Sequence, residues 1–208
     1  MLFQGTKAWE DYWGKRKHID DKGIGWSSIE HPHRKMLIDT ISKFSPESIL
    51  EIGCGSGVNL YLLAKKFPNA LIWGIDINKK SIEYGKAKFK ELGIDKVKLL
   101  NQSADDLVYE GFKYDVVFTD AMLIYIGTDK IRQLMSHIIR LAKKGIVLCE
   151  WHNERLCSLG QYKDGVWQRN YRNLLQGYST DSNIKITRIP KSVWSEWNER
   201  GAIIEVKL

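Results

Sequence analysis

The residues best placed to do chemistry are three glycines that alternate with other residues in Ile49-Leu50-Glu51-Ile52-Gly53-Cys54-Gly55-Ser56-Gly57, immediately after an apolar run. Without side chains, such positions permit a tight turn and let backbone N–H groups approach a ligand closely. A second apolar run, Leu71-Ile72-Trp73-Gly74-Ile75-Asp76, ends in an acid 23 positions after Gly53. In a parallel α/β sheet that acid stands beside the turn, where a carboxylate accepts hydrogen bonds from ribose hydroxyls. Together the two signals predict a nucleoside-binding site. The nicotinamide fingerprint G-x-G-x-x-G would need its third glycine at position 58, which is Val58.

The pattern E-x-G-x-G-x-G over Glu51 to Gly57 resembles motif I of the class I S-adenosylmethionine-dependent methyltransferases, and Asp76 matches their ribose-binding acid. The resemblance continues through Val97 to Leu107 and Tyr114 to Asp120, and covers roughly residues 46 to 150. It implies S-adenosyl-L-methionine as cofactor and a doubly wound, mostly parallel seven-stranded sheet with an antiparallel C-terminal hairpin. By the same resemblance, the backbone at Gly53, Cys54, Gly55 and Gly57 passes the methionine and ribose portions. Glu51 orders the loop and the cofactor's amino group, and Ile77 packs on adenine. Ser103 stands where the family often has an acid, so the adenine contact falls to Ala104 or Asp105. Asp120 stands beside the expected methyl position.

A fainter similarity links Phe118 to Ile126, Cys149 to Asn153 and Asp164 to Tyr171 with methylases of bacterial surface-sugar biosynthesis, with Tyr125 roughly at their histidine position. It implies a small or sugar-like acceptor methylated at oxygen. The alternatives are an RNA or protein methylase and, from a different class, a catalytically silent binding module. The Asp120-Ala121-Met122-Leu123 segment departs from the [DN]-P-P-[YF] motif of adenine-N6 methylases.

Deprotonating the acceptor calls for a base near neutral pKa. His152 follows a predicted strand end on the side where such sheets bind ligands, and is the expected catalytic base, with Asp120 orienting the acceptor or touching the cofactor. His31 and His33 flank Pro32 at a helix start, where capping explains them. Asp120 with Glu150, His152 and Asn153 loosely resembles the ligand set of catechol-type enzymes, but the lysine and the Asp-Asn pair are missing, so no metal site is expected.

The net charge of +7, from 32 Lys and Arg against 25 Asp and Glu, admits an anionic partner. The plainer reading of Lys79, Lys80, Lys86, Lys88 and Lys90 is a solvated helix face, which makes nucleic acid the weaker choice beside a small-molecule acceptor. Cys54, Cys149 and Cys157 lack paired spacing, and neither a disulfide framework nor a zinc site is expected. With no apolar run of about 20 residues and no basic segment leading a hydrophobic block, the expectation is a cytoplasmic protein without membrane contact. Met1 to Gly5 resembles a picornaviral protease site and carries no functional reading.

To position these residues the chain must alternate strands and helices, and it does: strands at 48–52, 71–76, 96–101, 114–119 and 145–150, with helices at 57–67, 79–92 and 129–142. Residues 6–20 predict an amphipathic helix, a turn follows at Gly23-Ile24-Gly25, and a helix opens at His31-Pro32-His33. Asn183 to Pro190 and Gly201 to Leu208 supply the last two strands. The expected organisation is a single domain: helical cap 1–45, cofactor core 46–150, substrate-side insert 151–182 and terminal strands 183–208. Aromatic residues in 9–13 and 151–172 are expected to roof the pocket.

Overall fold

The computed structural model describes residues 6–16, 25–107, 111–197 and 199–208. Helix α1 (Thr6–Lys15) and helix α2 (Pro32–Ser42) precede the alternating core of β1 (Ser48–Ile52), α3 (Val58–Lys66), β2 (Leu71–Asp76), α4 (Lys79–Glu91), β3 (Val97–Asn101), β4 (Tyr114–Asp120), α5 (Ile131–Leu141) and β5 (Ala142–Trp151). Within 151–182, expected only as an insert, the chain forms a small hairpin, β6 (Gln161–Lys163) and β7 (Val166–Gln168), and a short helix α6 (Tyr171–Leu175). Strands β8 (Ile184–Arg188) and β9 (Gly201–Lys207) close the chain. The expected turn at Gly23-Ile24, the tail of the first helix and Met1 to Gly5 lie outside the described residues.

The main sheet has the order β3-β2-β1-β4-β5-β9-β8. β1 to β5 run parallel, and β9 is antiparallel to both β5 and β8, which is the doubly wound sheet with an antiparallel edge expected above. The strand order reverses between β1 and β4, and open α/β sheets bind ligands in the crevice at that reversal. Register places Glu51 of β1 between Gly74 of β2 and Phe118 of β4. All five residues of β1 are buried, as suits a strand covered on both faces. Leu37 and Ile41 of α2, Leu60 and Leu63 of α3, and Ile82 and Phe89 of α4 cover one face. Leu134, Met135 and Ile138 of α5 and Leu174 of α6 cover the other.

Local chemistry sets the helix starts that matter for the crevice. His31 caps α2, its ring accepting from the His33 N–H, with Pro32 at the first turn, where its missing N–H costs nothing. Asn78 caps α4 by accepting from the Ser81 N–H at 3.0 Å. Among the described residues, no helix is long and apolar enough to cross a membrane.

Helix α4 lies so close to the loop after β1 that a Cβ on Gly85 would sit 2.5 Å from the Ser56 carbonyl oxygen. Backbone cannot rotate aside as a side chain can. Gly85→Ala is therefore expected to lower stability by roughly 1–3 kcal/mol, the usual cost of overpacking, measurable as a reduced urea midpoint with an unchanged slope.

Candidate active site

The loop from β1 to α3 is built by contacts with β2. The Gly53 and Cys54 N–H groups both donate to the Ile75 carbonyl, at 2.9 and 3.0 Å, and the Gly57 N–H closes the turn on Cys54 O at 2.9 Å. Gly53 and Gly57 are glycine for packing: a Cβ would lie 2.5 Å from Met122 Cγ at the first and 2.8 Å from the Phe89 ring at the second. Gly55 is different. All three hold a left-handed φ, of +79°, +55° and +84°, but a Cβ on Gly55 would meet nothing within 4 Å. Its N–H donates to Asp76 Oδ2 at 2.8 Å, while Asp76 Oδ1 accepts from Asn78 N–H at 2.7 Å. Burial pushes the Asp76 carboxyl up, against the pull of those two donors.

These residues line a cavity of about 470 Å³. Glu51, Gly53, Cys54, Gly55, Asp76, Ile77, Ser103, Ala104, Asp105 and Asp120, all read from the sequence, reach its wall; Gly57 shapes the turn from behind. Trp9 and Trp13 of α1 cover it, packing on Tyr125 with ring centroids 4.7 and 5.0 Å apart. The helix is fastened along its length. The Thr6 hydroxyl donates to Asp129 at 2.8 Å and accepts from Gly127 N–H at 2.7 Å, Lys130 bridges Glu10 and Asp105, and Asn78 donates to Trp13 O at 2.6 Å.

The other half of the expected roof is corrected. Residues 151–172 do not line the cavity; Trp194 and Glu196, from the connection between β8 and β9, do. His152 is fully buried away from it, its Nδ1 accepting from Tyr171 N–H at 3.2 Å. Burial, then the nearby Arg188, pushes its pKa down to about 4. In this position it has no access to an acceptor, and the role of base is not carried forward. Arg169, also fully buried, donates to the carbonyls of Leu159 at 3.1 Å, Leu123 at 2.9 Å and Ile126, and so ties the insert to the segment that carries Tyr125. Glu150 serves the same segment: it accepts from the Thr119 hydroxyl at 2.7 Å and from the N–H groups of Met122, Leu123 and Ile124 at 3.0–3.1 Å. Despite those donors, burial lifts it to about 7.

At the end of the cavity beneath Trp194 lies a polar network in which the sequence reading named Glu51 and Asp120 but missed Asn59, Arg34 and the contact with His33. Asn59 donates to Glu51 Oε1 at 2.7 Å and to Asp120 Oδ2 at 3.0 Å, and accepts from Arg34 Nη1 at 2.5 Å. Asp120 Oδ2 also lies 3.1 Å from His33 Nε2 and 3.5 Å from Arg34 Nη1. Burial would raise the Asp120 carboxyl, but His33, Arg34 and Asn59 outweigh it and hold it well below the ordinary carboxylate range. His33 Nδ1 in turn meets His31 Nδ1 at 2.6 Å. Two histidines flanking a proline, on the helix that precedes the first core strand, were the available signal.

Residues 49–145 match the family model described as a methyltransferase domain. The chain is 32% identical over 128 residues to the ribosomal protein L11 methyltransferase of Dictyoglomus thermophilum, covering 61% of this chain and 40% of that protein. Against the malonyl-[acyl-carrier protein] O-methyltransferase of Priestia megaterium it is 35% identical over 99 residues, 46% of this chain and 35% of that protein. The chain thus spans less than half the length of these curated relatives. The crystal structure of magnesium protoporphyrin IX methyltransferase from Synechocystis PCC 6803 with bound SAH superposes with a TM-score of 0.68 at 18% identity, over 98% of this chain and 99% of that one. That likeness is one of fold.

The structures of magnesium protoporphyrin IX methyltransferase hold S-adenosylmethionine or S-adenosylhomocysteine, and two observations of the present site fit such a group. The side-chain volume missing at Gly55 is open cavity, and Glu51 Oε2 is buried without a hydrogen-bond partner, an acceptor suited to an ammonium. Desolvation lifts Glu51 to about 8.

Gly55→Ala is accordingly expected to weaken binding of S-adenosylhomocysteine at least about tenfold, roughly 1.4 kcal/mol, while the left-handed backbone costs the fold only about 1–2 kcal/mol; calorimetry and thermal unfolding separate the two. A second expectation concerns pH. An ammonium beside Glu51 favours its carboxylate, so binding below about pH 8 must expel the carboxyl proton, and affinity should climb as pH rises towards that value. Titrations in buffers of different ionisation enthalpy would show the released proton in the wild type and lose it in Glu51→Gln.

Proposed function

We propose that this protein transfers a methyl group from S-adenosylmethionine to an oxygen of a small-molecule acceptor, sugar-like hydroxyls included. The observation that carries the reading is the enclosure of the cavity: Trp9 and Trp13 lie over one end and Trp194 over the other. A nucleoside bearing methionine takes the larger share of about 470 Å³, and what remains suits a compact acceptor rather than a folded macromolecule.

When bound, the cofactor supplies a methyl group already electrophilic on a sulfonium. The chain's own work is alignment and exclusion of water. Orienting two reactants this way can remove up to roughly 7–11 kcal/mol from a barrier. Glu51, Gly55 and Asp76 hold the donor side, Asn59 and Asp120 fix the boundary, and the aromatic rings close the space above it. Arg34 and His33 already flank Asp120, which supports a mechanism without a divalent ion, since a cation there would face a guanidinium. Among the described residues, no group of His, Cys, Asp and Glu is arranged to hold a metal.

The test is a transfer assay with methyl-labelled S-adenosylmethionine against phenols of graded acidity, sugar nucleotides, carboxylic acids, total RNA and ribosomal protein. Label is expected in a small hydroxyl compound, at a rate that chelators leave unchanged. Label appearing only in RNA or protein would overturn the small-molecule assignment, and a chelator-sensitive rate restored by magnesium would overturn the metal-free one.

A further inference from the structure

Resting on the methyl-transfer reading, the geometry points to an aryl oxyanion, a phenolate or an aromatic carboxylate, as the acceptor, held at its oxygen by the Nε2–H of His31. The cap of α2 fixes the protons. A backbone N–H always donates, so the His33 N–H obliges His31 Nδ1 to accept, at 3.4 Å. A lone pair on that nitrogen leaves the proton of the neutral His31 ring on Nε2. The 2.6 Å contact between the two Nδ1 atoms then takes its hydrogen from His33. Because a carboxylate only accepts, His33 also donates from Nε2 to Asp120 Oδ2, 3.1 Å away. His33 is thus a double donor, and the single N–H of His31 has no partner among the described residues, on a ring that lines the cavity.

An N–H so placed suits an anionic oxygen. Donation from His33 polarises the His31 ring and strengthens its outer N–H, and the Arg34 guanidinium stands behind, 3.5 Å from Asp120. The carboxylates at this end are already engaged. Asp120 Oδ2 meets His33, Arg34 and Asn59, and its Oδ1 is buried. Glu196, from the β8–β9 connection, accepts from the Ser195 hydroxyl at 2.9 Å, and Glu51 reaches the group only through Asn59. Asp120 is held well below the ordinary carboxylate range, and Glu196 is lowered by its own backbone N–H and then by Ser195, so both are poor proton acceptors. An acceptor that arrives ionised needs none. Trp194, 4.9 Å from the His31 ring and 4.3 Å from the His33 ring, is stacked at 4.1 Å on Trp197 and offers a flat wall for an aryl group.

The step balances without a proton transfer on the protein. A phenol leaves its proton to solvent as it binds. One lone pair of the bound oxygen accepts from His31, another forms the bond to the methyl carbon, and the carbon–sulfur pair stays on sulfur. An anion and a sulfonium become a neutral ether or ester and a neutral thioether. The anion loses its charge as the bond forms, so the His31 N–H aids binding and ionisation more than the transfer itself. Burial first, then His33 and Arg34, lower the His31 pKa, which keeps the ring neutral, while Glu196 and Asp120 oppose them. His31 touches the acceptor; His33 and Asp120 are positioning residues.

The deciding variant is His31→Ser, because serine also caps a helix, so the fold should hold, but is too short to reach the place of Nε2. The probes are nitrophenol, whose anion alone absorbs in the visible, and benzoate. Bound to the protein loaded with S-adenosylhomocysteine, at a pH below its own ionisation, nitrophenol should show the phenolate band. In His31→Ser the band should vanish and affinity for both probes fall about 10- to 100-fold, with unchanged affinity for S-adenosylhomocysteine. In turnover the loss should appear in KM rather than kcat. Across the phenol series above, wild-type kcat/KM should rise with pH through each phenol's own ionisation, so that the midpoint follows the substrate. Transfer to nitrophenol but not benzoate would name the phenolate, and the reverse the carboxylate. A midpoint common to all phenols, a bound nitrophenol that stays neutral, undiminished affinity in His31→Ser, or no binding of either probe would overturn the proposal even if methyl transfer were confirmed. A phenolate band without transfer to any acceptor would uphold the oxyanion site and overturn the functional reading instead.

Discussion

The carboxamide of Asn59 is the joint on which the site depends. It is buried, and in one side chain it meets the β1 acid, the β4 acid and the α2 guanidinium. Two carboxyl groups so close could not both ionise without an intervening donor, and a buried guanidinium needs acceptors in place before it is tolerable. A neutral amide does both, donating twice to the acids and accepting once from the base. Its place in the first turn of α3 comes directly from the glycine loop, so the loop that floors the cavity also delivers the group that joins its two acids.

Charge inside this crevice is arranged by surroundings rather than by composition. Glu51 and Asp120 share Asn59, yet desolvation lifts the first while His33 and Arg34 depress the second. The two carboxyl groups are thereby driven apart: Asp120 faces His33 and Arg34, whereas Glu51 Oε2 is buried without a hydrogen-bond partner. Glu150 illustrates a third use, structural, by gathering the N–H groups of the segment that positions Tyr125.

The core was legible in the sequence because its signals are local. Apolar runs ending at a glycine turn and at Asp76 fix β1 and β2 almost to the residue, and the 3.6-residue spacing of apolar side chains marks α3, α4 and α5. The ten cofactor-side residues at the cavity wall follow from that register. What the sequence concealed is what depends on distant pieces meeting. His33 and Asp120 stand 87 positions apart and touch only once α2 is laid across the strand ends. His152 misled for the same reason: it follows β5 on the expected side, but α6 and Arg188 fold over it. The sequence marks 151–182 only as an insert because its hairpin strands are three residues each, too short for a periodic signal.

The site divides unevenly along the chain. Its donor floor lies within residues 49–145, the stretch matched as a methyltransferase domain, whereas Trp9, Trp13, His31, His33, Arg34, Trp194 and Glu196 come from outside it. The matched stretch and the cover of the cavity therefore lie in different segments. The relatives named above act on molecules as unlike as a ribosomal protein and an acyl carrier. Substitutions in those flanks would reshape the cover of the cavity without disturbing a single parallel strand.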